Sequence, residues 1–310
     1  MTVLVTGGSG FLGSHVVAGL LAAGQRVVVG DVREPHHPVP AAHFERLDVT
    51  QPAGLAAMLR RHDVRTVVHL ASIVNPGATM TEQQEFSVDV EGTRAVVEAC
   101  LEAGVRRVVV SSSGAAYGYH ADNPVPLVET DALRGNDEFS YARHKRLVEE
   151  YLATVRVTHP ELEQVVLRIG TILGPTVRNQ ITALWDGPVV LRIAGSESPF
   201  VFVWVDDVAS AMVRAATDGP AGVFNLAGEG SVPVREIAAM LGKRTLTVPA
   251  WMLALGLTIA RALRLTPHGP ERVGFLRHRP VLDATALREK FGYTPELSSQ
   301  EVFERYLATR

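Results

Sequence analysis

In 310 residues the chain has one cysteine, three lysines, almost no net charge and no apolar run long enough to cross a bilayer. Each shortage excludes something. Cys100 alone cannot close an internal disulfide and has no companion thiol for a zinc cluster. The longest nearly uninterrupted apolar stretch, 248–260, ends at Arg261 and falls short of the roughly 20 residues a spanning helix needs. The N-terminus enters an apolar run without the charged region and cleavage site of a signal peptide, so a cytoplasmic location is expected. With 30 basic against 33 acidic residues the net charge is −3, and no overall cationic field exists to hold a nucleic acid. The partner expected instead is a small-molecule substrate, with a homodimer as the assembly.

What is present is an alternation. Short β-branched runs, Val3-Leu4-Val5, Val27-Val28-Val29, Thr66-Val67-Val68, Val108-Val109-Val110 and Val165-Val166-Leu167, read as buried strands. Segments 13–23, 52–61, 92–103 and 140–154 between them have helical length and Ala/Leu/Arg content. Such alternation predicts an α/β fold with a doubly wound parallel sheet covered on both faces. After Arg168 the rhythm breaks into Gly/Pro-punctuated pieces, with 200–205 and 223–226 reading as two further strands. The expected division is a dinucleotide-binding domain over 1–170, to which strands near 200–229 return, and a smaller substrate lobe from 171–199 and 230–310. No linker-like tract separates them, so the lobe is built from insertions.

The first strand runs into Thr6-Gly7-Gly8-Ser9-Gly10-Phe11-Leu12-Gly13. Glycines 7, 10 and 13 fall at the turn and opening of a helix. There they serve a tight turn, close approach to a pyrophosphate and close helix–strand packing. Asp31 ends the second strand, eighteen residues after Gly13, where a carboxylate can accept hydrogen bonds from an adenosine ribose. A turn cap is the plainer reading of the same aspartate. Asp31 favours NAD by repelling a 2′-phosphate, while Arg33, two residues on, leaves NADP open. Asp48, beside Val49, follows a predicted third strand and can reach the adenine edge, or it caps the helix beginning near Pro52.

Downstream, the fifth strand ends in Ser111-Ser112-Ser113-Gly114, and Tyr141-Ala142-Arg143-His144-Lys145 opens a helix. Tyr141 and Lys145, four residues apart, share a helical face. An ammonium near a phenol favours the phenolate, which suits a general acid/base. The alternative is an ordinary stacked pair on an exposed helix, a reading that loses weight beside the glycine-rich loop.

The glycine-rich loop, His69-Leu70-Ala71-Ser72, Ser111-Ser112-Ser113 with Tyr117-Gly118, Tyr141 with Lys145, Leu167-Arg168-Ile169, Gly174-Pro175, Val205-Asp206-Asp207-Val208-Ala209 and Phe291-Gly292-Tyr293-Thr294-Pro295 span nearly the whole chain. Together they resemble the extended short-chain dehydrogenase/reductases, the NAD-dependent epimerase/dehydratase family. The resemblance implies a Rossmann sheet holding NAD through Gly7, Gly10, Phe11, Leu12 and Gly13, then Asp31, Arg33, Asp48 and Val49, then Leu70, Ala71 and Ser72. It implies that Tyr141 moves a proton at a substrate carbinol or carbonyl and that Ser113 hydrogen-bonds that oxygen. Lys145 would hold the nicotinamide ribose and tune Tyr141. No metal is expected, since the eleven histidines show no paired helical spacing.

Departures from the family pattern narrow the reaction. Asp89 stands where the family often has an Asn that supports the helix near the catalytic lysine, so a weakened or altered proton relay is expected. Gly114 and Ala115 occupy the positions where dehydratases carry an Asp-Glu pair and decarboxylases a Glu; Glu129 or Asp131 from the following loop would be needed to replace them. Asp206 and Asp207 read as the cap of the helix they precede. Arg168 either shapes the active-site floor or bonds the sheet edge. Nucleotide-sugar members usually carry an Arg just before the segment that begins here at Phe200, but this chain has Glu197-Ser198-Pro199, leaving Arg178, Arg192 or Arg277 as substitutes. The apolar segment from Val248 reads first as a buried lobe helix, or as a pocket lining for a lipid-like or aromatic ketone. The expected function is hydride transfer at a secondary alcohol or ketone, with a sugar-nucleotide epimerase leading. A reductase or alcohol dehydrogenase for a hydrophobic steroid-, polyketide- or flavonoid-like substrate is the alternative, and a non-catalytic dinucleotide sensor is third.

Overall fold

The computed structural model describes residues 1–310 except 38, 78, 176, 178, 180, 264, 267, 268 and 310. Seven strands make its central sheet: β1 (Thr2–Thr6), β2 (Arg26–Asp31), β3 (Ala42–Arg46), β4 (Val64–His69), β5 (Arg107–Ser113), β6 (Glu163–Ile169) and, from late in the chain, β10 (Gly222–Leu226). Their order is β10-β6-β5-β4-β1-β2-β3, and every neighbouring pair is parallel. Parallel strands need helical crossovers, which cover both faces and explain why the strands are continuous Val/Leu runs. On one face α1 (Phe11–Ala22) and α6 (Val205–Thr217) bury Val16, Leu20 and Met212 against Val3 and Val5. On the other, α2 (Leu55–Arg61), α4 (Gly92–Ala103) and α5 (Ser140–Thr158) bury Leu59, Val97 and Leu152 against Leu4 and Val28. Cys100 on α4 is fully buried, and burial pushes its thiol up to about 12. Chain order reverses on either side of β1, which pairs with both β2 and β4. This switch point opens a crevice at the carboxyl ends of the strands, where α/β sheets bind ligands.

A short α3 (Glu82–Phe86) and a π-helical turn, Ser87–Glu91, precede α4. The later insertions form two further small sheets: β7 (Thr171–Leu173) beside β9 (Phe202–Trp204), and β8 (Val189–Ile193) beside β11 (Arg244–Val248). Of the two strands expected over 200–229, β10 joins the central sheet. β9 does not, because the chain passes from Trp204 directly into α6 and β9 is held against β7. Around these pieces lie α7 (Val234–Met240), α8 (Ala250–Ala262), α9 (Arg272–Arg277) and α10 (Ser299–Ala308). An aromatic cluster of Trp185, Phe200, Phe202 and Phe303 forms their core, with ring centroids 5.1–5.9 Å apart.

Two expectations fail here for physical reasons. Asp206 and Asp207 do not cap α6, whose N-cap is Trp204 without a side-chain bond. Asp206 instead contacts His15 of α1 at 3.0 Å, while Asp207, buried, accepts from the Tyr293 hydroxyl at 2.8 Å and from the Glu296 amide at 2.9 Å. It therefore ties the Phe291–Pro295 stretch to the sheet-covering helix. The apolar α8 is not a buried core helix, since none of its residues is buried.

Candidate functional site

The glycine-rich loop forms the amino side of the crevice. Gly7 has φ +69°, a left-handed conformation in which side chains are strained, and a Cβ there would stand 2.8 Å from the Ala71 amide nitrogen. At Gly13 a Cβ would fall 2.2 Å from the Gly7 carbonyl oxygen, so only glycine lets α1 seat this close to β1. Gly10 is the N-cap of α1, with no side-chain cap and no acid in the first turn. Those first-turn amides lack intrahelical partners and carry the positive end of the helix dipole, which suits a pyrophosphate. Asp31 accepts from the Ser9 amide through one oxygen and from the Arg33 amide through the other, both at 3.1 Å. The carboxylate thus links the loop to the turn after β2, where a ribose hydroxyl is expected. Arg33 lies exposed in that turn. Asp48 accepts from Thr50 and Gln51 in its own turn and does not cap α2, whose N-cap is Gly54. Val49 packs against Gly92, where a Cβ would come 2.6 Å from Val49 Cγ2.

If Asp31 governs the ribose end, wild-type protein should bind NAD more tightly than NADP, and Asp31→Ser should weaken NAD by about tenfold or more, the scale of a lost charged hydrogen bond. Titrating both dinucleotides checks this. Tighter NADP binding by the wild type would give the pocket to Arg33.

At the far side, Lys145 on α5 is buried and donates to the Ser72 hydroxyl at 3.2 Å and to the Ser111 carbonyl at 3.0 Å. Its ammonium lies 5.6 Å from the centre of the Tyr141 ring. Ser72 in turn donates to Asp89 at 2.9 Å, and the other Asp89 oxygen faces Nδ1 of buried His144 at 3.1 Å. Desolvation works to raise the Asp89 pKa, but His144, Lys145 and the Ile73 amide outweigh it and hold the carboxyl below its ordinary value. The departure at Asp89 is therefore built in: a carboxylate on the π-helical turn holds the serine that steadies the lysine, with His144 opposite. The spacing of Asp89 and His144 in sequence gave no sign of this contact. Ser113 ends β5 and its hydroxyl accepts from the Ala115 amide at 3.2 Å.

Gly114 and Ala115 are buried, and a Cβ at Gly114 would meet Leu282 at 3.2 Å. Both replacement acids are held by backbone amides. Glu129 accepts from the Asn225 amide of β10 at 2.7 Å, and Asp131 from the Val128 amide at 2.8 Å. Arg168 bonds Glu149 through Nε at 2.9 Å and through a terminal nitrogen at 2.7 Å, and reaches the Tyr117 hydroxyl at 2.7 Å. Glu149 also accepts from Ser112 at 2.5 Å. The arginine therefore belongs to a buried network beneath β5 and β6.

One functional candidate had no sequence signal. Arg279, half-buried, lies between Phe200, 3.8 Å from its ring centre, and Phe275 at 5.3 Å, and donates from a terminal nitrogen to the Leu276 carbonyl at 3.2 Å and the Ser198 carbonyl at 3.3 Å. Desolvation lowers its pKa to about 9; among the described residues no carboxylate pairs with it, and its Nε has no hydrogen-bond partner. The Tyr119 ring packs on Phe275 and Phe139. Burial pushes the Tyr119 hydroxyl up, with the nearby Tyr141 adding to the rise and Arg279 opposing it, so an aromatic patch joins the two. Of the substitutes expected from sequence, Arg192 faces Glu197 at 3.5 Å, Arg277 has a buried Nε without a partner, and Arg178 lies outside the described residues. Away from the crevice, His43, Glu45 and His62 bring ligand atoms within 4.8 Å of one another, a pairing of histidines invisible in their spacing. The His62 hydrogen bond above all, with Arg61 and His43, lowers the Glu45 pKa to about 2. The cluster as it stands is an ion pair fastening β3 to α2.

Switch-point crevice, glycine-rich turn and a Tyr/Lys pair on the helix after β5 define a dinucleotide-binding protein of the extended short-chain dehydrogenase/reductase class. Residues 3–227 match the NAD dependent epimerase/dehydratase family, and the chain belongs to it. It is 27% identical to an uncharacterized protein of Mycobacterium tuberculosis, over 99% of this chain and 84% of that one. A UDP-glucose 4-epimerase of Erwinia amylovora is 34% identical over 56% of this chain and 54% of its own length. The crystal structure of the Thermus thermophilus UDP-glucose 4-epimerase complex with NAD matches with TM-score 0.76 and 26% identity, covering 100% of this chain and 98% of that one.

Proposed function

We propose that the protein is an NAD-dependent enzyme that transfers hydride at a secondary alcohol of a nucleotide-linked sugar, with no net redox change, as a 4-epimerase does. The observation that carries the catalytic reading is Lys145, buried, steadied through Ser72 by Asp89 and facing the Tyr141 ring. The glycine cradle and the uncapped first turn of α1 fit a dinucleotide pyrophosphate, and Asp31 fits its adenosine ribose. Bound there, the nicotinamide supplies a two-electron hydride acceptor and donor. Tyr141 takes the proton from the substrate hydroxyl as the carbon is oxidised and returns it when the ketone is reduced again. Ser113 donates to the same oxygen, and the Lys145 ammonium stabilises the phenolate that stands before the proton is taken and again after it is returned. Gly114 and Ala115 add no proton carrier, so a keto intermediate has only release or re-reduction open to it.

Arg279 supports the substrate class. Its guanidinium is half-buried, has a buried Nε without a partner and faces no carboxylate among the described residues; an anion would complete it, and a sugar-nucleotide diphosphate is such an anion. The Erwinia and Thermus relatives described above are UDP-glucose 4-epimerases. The alternative, a reductase for hydrophobic ketones, has no comparable support from the half-buried guanidinium, and α8, its apolar candidate, is open to solvent.

Incubation with UDP-glucose, UDP-galactose and their N-acetyl forms tests the reading. Interconversion of epimers without accumulating reduced nicotinamide is expected. Net reduction of NAD would make the enzyme a dehydrogenase, and inertness toward every sugar nucleotide would overturn the substrate class. No 4-keto-6-deoxy sugar and no carbon dioxide should form from nucleotide-linked glucose, mannose or glucuronate. Appreciable amounts of either would mean that a carboxylate beyond Gly114 and Ala115 moves a second proton.

A further inference from the structure

Helix α8 is apolar and open to solvent at once. Trp251 is 68% exposed, Met252 48%, Leu255 53% and Ile259 51%, and the stripe runs on through Leu263 at 64% and Leu265 at 77%. Residues 251, 255 and 259 recur at helical spacing, so these side chains form one ridge. Single exposed apolar residues need no explanation, but a contiguous ridge of this kind marks an interaction surface. At 13 residues the helix is about 20 Å long by its rise per residue, too short to span a bilayer, and among the described residues no helix is long and apolar enough to do so.

Charge selects the occupant. Between residues 240 and 280 the sequence has Lys243, Arg244, Arg261, Arg264, Arg272 and Arg277, besides Arg279 of the site above, against the single acid Glu271, in a chain whose net charge is −3. Arg244 and Arg261, which flank the ridge in sequence, are exposed. A second copy of the chain would set this basic segment against itself. An anionic lipid surface takes both the apolar ridge and the exposed cations that flank it in sequence, Arg244 and, 3.3 Å from Glu271, Arg261, and tryptophan favours that boundary. We propose that α8 lies flat on anionic membrane surfaces, carrying Trp251, Leu255 and Ile259 into the headgroup boundary and making the protein a peripheral membrane enzyme. This does not rest on the substrate proposed above, and neither reading falls with the other.

The chain carries its own probe. Of its three tryptophans, Trp185 and Trp204 are buried, so a change in emission on adding lipid reports Trp251. Full-length protein is mixed with phosphatidylcholine vesicles and with vesicles of phosphatidylcholine and phosphatidylglycerol, then followed by co-sedimentation and fluorescence. The proposal expects blue-shifted emission and co-sedimentation with the anionic vesicles, at least about tenfold tighter than with the neutral ones and weakened by salt. Ile259→Asp and Leu255→Asp, both at exposed positions, should abolish binding with far-ultraviolet circular dichroism and NAD affinity unchanged. Three results would overturn it: no binding to anionic vesicles, binding unaffected by these substitutions, or lipid-independent self-association in sedimentation velocity that Ile259→Asp removes.

Discussion

Tyr141→Phe is expected to bind NAD as the wild type does and to lose most of its turnover, by on the order of 10²–10⁴-fold, the usual contribution of a general acid/base. Only the phenolic oxygen is removed. The ring that faces Lys145 at 5.6 Å stays, as does the anchoring of Lys145 by Ser72 and Ser111, so the loss should fall on kcat and leave the fold intact. Single-turnover kinetics with a sugar nucleotide, alongside a dinucleotide titration, separate the two. Near wild-type rates in this variant would move the proton transfer to another group.

The largest stability effect is expected at a residue that touches no substrate. Glu149 and Arg168 are 4% and 6% exposed, and the guanidinium reaches the carboxylate through two nitrogens, at 2.9 and 2.7 Å. Removing one member of such a pair leaves the other charge buried without a partner, at a cost of about 3–5 kcal/mol. Glu149→Gln should therefore lower the thermal midpoint by on the order of 10 °C. Replacing both residues, Glu149→Met with Arg168→Met, should cost less than the single change, because no buried charge is then stranded. Denaturant melts of the three proteins decide it, and a double variant weaker than Glu149→Gln would show that the pair adds net stability of its own.

The sheet was legible because its physics is local. A strand buried on both faces must be apolar throughout, so Val3-Leu4-Val5 and Val108-Val109-Val110 announce themselves, as does Gly13, which must be glycine to seat a helix on a strand. The lobe follows no such repeating rule. Arg279 lies more than one hundred and thirty residues from Tyr141 in sequence, and only folding brings an aromatic patch between them. Asp206 and Asp207 carry the local pattern of a cap, yet their partners, His15 and Tyr293, come from distant segments. The helix from Ala250 misled in another way. Apolar composition reports what a surface avoids, and a core and a lipid boundary satisfy that preference alike.

Cys100 gives the molecule a practical property. Its thiol is fully enclosed and burial holds it protonated, with a pKa pushed up to about 12, whereas alkylating and disulfide-forming reagents attack the thiolate. The native chain is thus silent toward thiol reagents while folded. A cysteine placed on the outer face of the lobe and another beside the glycine-rich loop would be the only reactive ones, ready for paired dyes. With them, the distance between the two halves of the crevice can be read in solution as dinucleotide and sugar nucleotide are added in turn.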